Sequence, residues 1–188
     1  MLKKQHYVYL LFLTLLLGGC KKEKSPLDGL RVVTEKDKVH DYLGKKLPNH
    51  SLKSLDNREL LLSDFEGKPT VINCWFVSCA PCIDEMPILN DLKSQYGDQV
   101  NFLSLTFDTA EKVEKLLKKH AFDFYHLVGA QEFLQEIGVQ GYPKNIFIGA
   151  DGIIKRIEGG VPYEKIDGKL VRGDGKAFYD YVEELIKL

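Results

Sequence analysis

The stretch TVINCWFVSCAPC, residues 70–82, decides the fold. Its first part, residues 70–77, is a near-continuous run of β-branched and aromatic residues bounded by turn signals, which is typical of a buried central strand. Apolar residues at helical spacing follow between residues 83 and 96, with Pro87 inside the run as the expected position of a kink. The sequence therefore predicts a strand that passes directly into a helix.

Cys79 and Cys82 lie where this strand ends and the helix begins. At a helix N-terminus, the unpaired backbone N–H groups and the helix dipole favour a thiolate. The two residues between the sulfurs allow a disulfide to open and close without a large backbone movement. Pro81 is tolerated in the first helical turn, where its missing N–H does little harm. The pair has the placement that a redox-active dithiol requires.

The segments on either side extend this unit to an α/β pattern. Turn residues and the spacing of apolar residues predict the order hairpin, β-α-β unit, helix, strand, short helix, β-β hairpin and final helix. Bounds are predicted for six of these seven strands, at residues 51–55, 59–62, 70–77, 100–107, 145–149 and 153–158, and the seventh lies between the second helix and the short helix. The predicted helices lie at residues 83–96, 108–120 and 133–137 and from residue 174 onwards.

Five features that occur in order carry a resemblance to a known family. They are Trp75 four residues before the first cysteine, the CxPC motif, Pro87, the tripeptide Gly141-Tyr142-Pro143 and the hairpin that follows it. Over residues 44–188 the chain resembles the thioredoxin superfamily, and within it the membrane-attached TlpA/ResA-like thiol-disulfide oxidoreductases. The resemblance implies a thioredoxin-like α/β fold, a central mixed β-sheet flanked by helices with an N-terminal β-hairpin extension. It also implies protein-disulfide oxidoreductase activity that needs no cofactor and no metal.

The resemblance also assigns roles to single residues. Cys79 is expected to be the attacking thiol and Cys82 the resolving thiol of a redox-active disulfide. Glu85 matches the acid that tunes thiol protonation in the ResA-like branch. Pro143 is expected to follow a cis peptide bond, which leaves the backbone of Tyr142 free to pair with a substrate segment.

Trp75 is predicted to bind substrate together with Tyr142 and Pro143. Three positions depart from the pattern of the superfamily. Asn73 stands where thioredoxins place a buried acid, Ser78 replaces a Trp that often precedes the first cysteine, and Lys144 follows the expected cis-proline where Thr is usual. These departures affect substrate preference rather than the thiol chemistry.

The N-terminus resembles the signal of a bacterial lipoprotein. Lys3 and Lys4 precede an apolar run of 11 residues, which is short against the roughly 20 residues of a membrane-spanning helix. The following Leu17-Gly18-Gly19-Cys20 resembles a lipobox. The sequence thus predicts a signal peptide at residues 1–19, a tether anchored by acylated Cys20 at residues 20–45 and a thioredoxin-like domain at residues 46–188. The expected location is the periplasmic side of the cell envelope, attached to the membrane.

Composition limits the partners. The chain has 26 Lys and Arg residues against 27 Asp and Glu residues, so it offers no basic surplus for nucleic acid. The expected partners are disulfide-containing envelope proteins and a membrane electron donor that restores the dithiol. Apocytochrome c is one candidate substrate by analogy with the family. The Ala80-Pro81 dipeptide is closer to the Gly-Pro of reducing thioredoxins than to the Pro-His of strong oxidants, which favours a reductase over an envelope oxidant.

Other interpretations of the cysteines are weaker. Cys74 with Cys79 and Cys82 has part of a plant-type iron–sulfur spacing, but a cluster would need a fourth cysteine and only Cys20 remains. Cys74 is therefore expected to fill the core. The five histidines form no zinc-ligand pair with matched spacing. A redox-inert binding module would typically lack one cysteine of the pair, and this chain has both.

Overall fold

The computed structural model describes residues 37–188 of the 188-residue chain. The predicted signal peptide, Cys20 and most of the predicted tether lie outside this range. Among the described residues, no helix has the length and apolar character needed to cross a membrane.

Within residues 37–188, seven strands form one mixed sheet in the order β2-β1-β5-β4-β3-β6-β7. Strands β3, β4 and β5 are parallel, and the other pairings are antiparallel. The strand bounds are β1 Ser51–Ser54, β2 Glu59–Leu61, β3 Thr70–Trp75, β4 Asn101–Thr106, β5 Tyr125–Val128, β6 Lys144–Ile148 and β7 Ile154–Glu158. This sheet, flanked by helices and extended by the β1–β2 hairpin, confirms the predicted thioredoxin-like fold class.

Strand β3 lies between β4 and β6, and all six of its side chains are buried because both faces of the sheet are covered there. Successive side chains of a strand point to opposite faces of the sheet. Val71 and Trp75 therefore join one hydrophobic core, and Ile72 and Cys74 join the other. The first core packs against α1 (Ala80–Tyr96), α2 (Ala110–Leu117) and α4 (Lys176–Ile186), and the second packs against α3 (Gln131–Glu136).

The folded part of the chain begins earlier than predicted. A short 3-10 helix, Lys38–Tyr42, packs on the domain through Val39, which is completely buried. Asp37 pairs with Lys144 at 2.7 Å, and both side chains are largely buried. Residues 37–45, which were predicted as part of the tether, therefore contact the domain predicted for residues 46–188. A single apolar contact and one ion pair leave no periodic pattern in the sequence, so the segment resembled a tether.

Within residues 37–188, the structure has one hairpin in addition to the two that were predicted. Strands β8 (Tyr163–Ile166) and β9 (Lys169–Arg172) form a separate two-stranded sheet. They are joined by Asp167 and Gly168, both of which have positive φ, as a two-residue type I′ turn requires. The Asp-Gly pair is a local signal that could have indicated this hairpin, which leaves the main sheet after β7 and returns to α4.

Candidate active site

The structure contains a disulfide between Cys79 and Cys82, whose Cα atoms are 5.2 Å apart. Cys79 is the N-cap residue of α1, and its Sγ accepts a hydrogen bond from the backbone N–H of Cys82 at 3.3 Å. The two side chains are 4% and 1% exposed, so Cys79 is the one nearer the surface. In the reduced protein, the same N–H and the helix dipole favour a thiolate at Cys79.

The second part of the site is the segment before β6. The Tyr142–Pro143 peptide bond is cis, and Pro143 is buried. Lys144 pairs with Cys74 in the sheet register, which places Pro143 at the end of β3 from which the chain continues to Cys79. Within residues 37–188, neither the backbone N–H nor the backbone C=O of Tyr142 has a hydrogen-bond partner. No hydrogen bond to the described residues therefore prevents these groups from pairing with another chain.

Asp37 fixes the approach to this segment. Its carboxylate accepts hydrogen bonds from the backbone N–H groups of Gln140 at 2.9 Å and Gly141 at 3.3 Å, and it pairs with Lys144. Burial raises the pKa of Asp37, but the hydrogen bond and charge of Lys144 and the two backbone donors outweigh burial and hold this pKa below its ordinary value. The N-terminal segment thus holds the loop that leads to Pro143.

Glu85 is buried below the dithiol on the inner face of α1, one turn after Cys82. Its carboxylate accepts hydrogen bonds from the side-chain amide of Asn73 at 2.9 Å, from the backbone N–H of Val161 at 2.8 Å and from the side-chain amide of Asn145 at 3.4 Å. Burial raises the pKa of Glu85 to about 7, although these hydrogen bonds oppose the change. A carboxyl group with such a pKa can both release and accept a proton near neutral pH.

Asn73 acquires a role from this arrangement. The strand position at which thioredoxins carry a buried acid here carries an amide that donates to Glu85 and also to the side-chain oxygen of Asn145 at 2.9 Å. The buried acid near the dithiol is therefore Glu85 on α1, and the side-chain amides of Asn73 in β3 and Asn145 in β6 hold it in place.

Trp75 requires a correction. Its side chain is completely buried and packs edge-on against Phe122, with the ring centroids 5.6 Å apart. A side chain without exposed surface cannot contact a substrate in this conformation, so the predicted substrate-binding role of Trp75 is wrong. Trp75 supports the site from within the core.

An aromatic cluster that the sequence did not indicate lies at the same edge of the sheet. Phe76 stacks on Phe107 with a centroid distance of 5.5 Å, and Tyr142 meets both rings edge-on at 5.4 and 5.9 Å. All three side chains are partly exposed. Phe76 and Phe107 follow the parallel neighbours β3 and β4, so the available signal was an aromatic residue directly after each central strand.

Arg172, at the end of β9, was also missed. Its side chain is 11% exposed and reaches the first turn of α1, where it donates to the backbone carbonyl of Pro81 at 2.6 Å. It also donates to the backbone carbonyl of Val161 and to the hydroxyl of Tyr163. Ninety-one residues separate Arg172 from Pro81, and no local pattern links them.

Cys74 does not join the dithiol. It is a free, buried cysteine on the opposite face of the sheet, and burial raises the pKa of its thiol to about 12. Cys74, Cys79 and Cys82 therefore cannot share a cluster, and Cys74 fills the core as expected. Among residues 37–188, no group of three or more His, Cys, Asp and Glu side chains has an arrangement suited to a metal ion.

A disulfide at the start of the first helix, a cis-proline at the same edge and this strand order are typical of the thioredoxin-fold thiol-disulfide oxidoreductases, and the chain is one of them. It belongs to the Redoxin family, which matches residues 43–170.

Individual relatives agree with this assignment. The chain is 30% identical over 126 residues to thioredoxin-like protein YneN of Bacillus subtilis, covering 65% of this chain and 74% of YneN. It is 30% identical over 139 residues to thiol-disulfide oxidoreductase ResA of Bacillus cereus, covering 71% of this chain and 80% of ResA. The resemblance to the ResA-like group is thereby confirmed.

Solved structures show the same fold. The thioredoxin domain of a thiol-disulfide oxidoreductase from Bacteroides vulgatus superposes with a TM-score of 0.63 at 21% identity, covering 77% of this chain and 97% of that domain. A protein assigned as thiol:disulfide interchange protein DsbE, from Chlorobium tepidum, superposes with a TM-score of 0.66 at 20% identity, covering 77% of this chain and 97% of that protein.

Proposed function

We propose that this oxidoreductase reduces disulfide bonds of proteins in the cell envelope, with Cys79 as the attacking thiol and Cys82 as the resolving thiol. The observation that carries the proposal is the position of the Cys79–Cys82 pair at the N-terminus of α1, one helical turn from the buried carboxyl group of Glu85. The pair supplies the electrons, and Glu85 can supply or remove the proton that the exchange requires.

The reaction has two steps. The Cys79 thiolate attacks one sulfur of the substrate disulfide, forms a mixed disulfide and releases the other substrate sulfur as a thiolate. Cys82 then loses its proton and attacks Cys79 Sγ, which forms the Cys79–Cys82 disulfide and releases the second substrate thiolate. Two electrons pass from the protein to the substrate, and the two substrate thiolates take up protons.

Glu85 acts on the second step. Cys82 is 1% exposed and has little access to solvent, so its proton needs an acceptor inside the protein. With a pKa of about 7, the Glu85 carboxyl is ionised in part of the molecules at neutral pH and accepts the proton as Cys82 attacks. When the disulfide is reduced again, the protonated carboxyl returns the proton. Tyr142 and Pro143 hold the substrate segment against the disulfide, through the unpaired backbone groups of Tyr142.

The remaining elements of the proposal come from the family and from the N-terminus. An acylated Cys20 anchors the chain to the membrane on the periplasmic side, and residues that follow it form the tether. Because a reductant outside the cytoplasm becomes oxidised in each cycle, a membrane electron donor must restore the dithiol. Apocytochrome c is a candidate substrate by analogy with the TlpA/ResA-like group.

A Cys82→Ser variant tests the mechanism. With no resolving thiol, Cys79 is expected to accumulate mixed disulfides with envelope proteins, visible on non-reducing gels and lost when a reductant is added. Cys79→Ser is the matched control and should capture none. If Cys82→Ser captures no protein from envelope extracts, Cys79 is not the attacking thiol.

The direction is tested by equilibrating the full-length protein with glutathione. A reductase should have a redox potential of about −270 mV, the value typical of thioredoxin. A potential of about −120 mV, the value of the strong oxidant DsbA, would show that the protein oxidises thiols instead.

A further inference from the structure

The guanidinium group of Arg172 is joined to the dithiol by a single peptide unit. It donates to the carbonyl oxygen of Pro81 at 2.6 Å. The N–H of that same peptide unit belongs to Cys82 and is shared between two acceptors, the backbone carbonyl of Cys79 at 3.1 Å and Cys79 Sγ at 3.3 Å. A hydrogen bond at the carbonyl end of a peptide polarises its N–H and strengthens the bond that the N–H makes. Arg172 therefore acts on the sulfur through one shared amide.

The position of Arg172 is fixed by contacts on several sides. The guanidinium carbon of Arg172 lies 3.9 Å from the ring centroid of Tyr163. One guanidinium nitrogen donates a hydrogen bond to the Tyr163 hydroxyl oxygen at 2.8 Å. A second nitrogen donates to the carbonyl of Val161, whose own N–H is bound to Glu85. The charge is thus held in place in a partly desolvated position beside the first turn of α1, where it is screened less than a surface charge.

We propose that Arg172 is a positioning residue that stabilises the Cys79 thiolate, by its charge and by holding and polarising the Pro81–Cys82 peptide, and that it thereby sets the redox potential of the dithiol. The inference rests on the proposed role of Cys79 as the attacking thiol. Because the thiolate exists only in the reduced protein, Arg172 favours the reduced form and makes the pair more oxidising. Arg172 belongs to the β8–β9 hairpin, so this hairpin raises the redox potential of the Cys79–Cys82 pair.

Other charged and titratable groups face the same region and must be held constant. Asp84 lies 3.9 Å from the Arg172 guanidinium, and Glu85 is on the adjoining turn of α1. The hydroxyl of Tyr163, on β8, contacts the same guanidinium. Asp108 lies in the loop after β4, and its carboxylate accepts a hydrogen bond from the backbone N–H of Val77 at 2.8 Å. A substitution at position 172 leaves these residues in the chain, but it also removes a charge that lowers the pKa of Glu85. Repeating the comparison in a Glu85→Gln background removes the contribution of Glu85, whose pKa is raised to about 7.

The first experiment measures the pKa of Cys79 from the pH dependence of alkylation by iodoacetamide, in the full-length Cys82→Ser chain with and without Arg172→Met. Loss of the arginine should raise the Cys79 pKa by about one unit, which is a tenfold loss of thiolate below both pKa values. Lys165→Met is the matched control, because Lys165 is an exposed cation of the same hairpin, and it should leave the Cys79 pKa in place.

The second experiment compares glutathione equilibria of the native chain and Arg172→Met between pH 5 and pH 9. Below the pKa values of both thiols no thiolate is present to be stabilised, and the equilibrium constants should agree there. The difference should grow with pH to about tenfold, or roughly 30 mV, above both pKa values. A purely structural effect of the arginine on the disulfide would instead shift the equilibrium equally at every pH. A pH-independent difference, or an unchanged Cys79 pKa, overturns the proposal.

Arg172→Lys covers the case in which Arg172→Met does not fold. One ammonium group keeps the charge but cannot bind the carbonyls of Pro81 and Val161 in the fork that Arg172 uses, so a Cys79 pKa increase of about half a unit is expected. A pKa and pH profile equal to those of the native chain would overturn the proposal. Failure of native Cys79 to exchange with glutathione would overturn the proposed function itself, which is a separate result.

Discussion

Replacing Glu85 with Gln should stabilise the oxidised protein at alkaline pH. Burial raises the pKa of this carboxyl from its ordinary value of 4.5 to about 7 in the folded chain. Between these two values the native state binds the proton more tightly than the unfolded state, so the free energy of unfolding falls as the pH rises. The difference between 4.5 and about 7, at about 1.36 kcal/mol for each pH unit, corresponds to about 3 kcal/mol. Gln is uncharged at every pH and does not undergo this loss.

The assay is urea denaturation of the native chain and Glu85→Gln at intervals between pH 4 and pH 9, with the Cys79–Cys82 disulfide intact so that neither of these cysteines titrates. The two proteins should have similar stability near pH 4, and the variant should become more stable by up to about 3 kcal/mol above pH 8. Glu59→Gln, at an exposed position of β2, is the control and should show no such trend. A difference between Glu85→Gln and the native chain that is constant across this pH range would refute the assignment of the shifted pKa to Glu85.

Two further predictions concern the segment around Pro143 and the aromatic cluster beside it. Asp37→Asn should lower the free energy of unfolding by about 2 kcal/mol at pH 7, because the largely buried Lys144 ammonium loses its partner. The loss should shrink as the pH falls below 3.8, the ordinary pKa of Asp, because the stability contributed by a carboxyl group with a lowered pKa diminishes there. Urea denaturation at pH 7 and pH 3 measures this change, and equal losses at both would contradict it. Phe107→Ala should raise the KM for a protein disulfide about three- to tenfold, since it removes one ring of the aromatic cluster. It should leave the reduction of a small disulfide unchanged. Equal effects on both substrates would show that the cluster does not contact the protein substrate.

The dithiol could be predicted from sequence because all of its determinants are local. Cys79, Cys82 and the strand before them lie within thirteen residues, and the helix N-terminus follows from the same stretch. Pro143 was identified through the family pattern rather than through any property of the surrounding residues. The burial of Glu85 could not be read from helical spacing, because it depends on Val161 and on two amides from separate strands that close over the carboxyl group.

The features that were missed depend on contacts between distant parts of the chain. Arg172 reaches the first turn of α1 only because the β8–β9 hairpin folds back beside it, and the sequence separation leaves no pattern to detect. Trp75 was misassigned because the motif fixes its distance from Cys79 along the chain but not how completely neighbouring rings cover it. Val39 shows the same limit, since one buried residue in a charged segment has no periodicity.

The placement of Cys74 on the far side of β3 also has a kinetic consequence. A third thiol tethered within the same small domain would be present at an effective concentration in the millimolar range or above, and it could compete with Cys82 for every mixed disulfide on Cys79. The alternation of the strand directs Cys74 into a separate core, with the sheet between it and the reacting sulfurs. Among residues 37–188, Cys82 is therefore the one thiol placed to resolve the mixed disulfide proposed for Cys79, and the sheet separates Cys74 from that step.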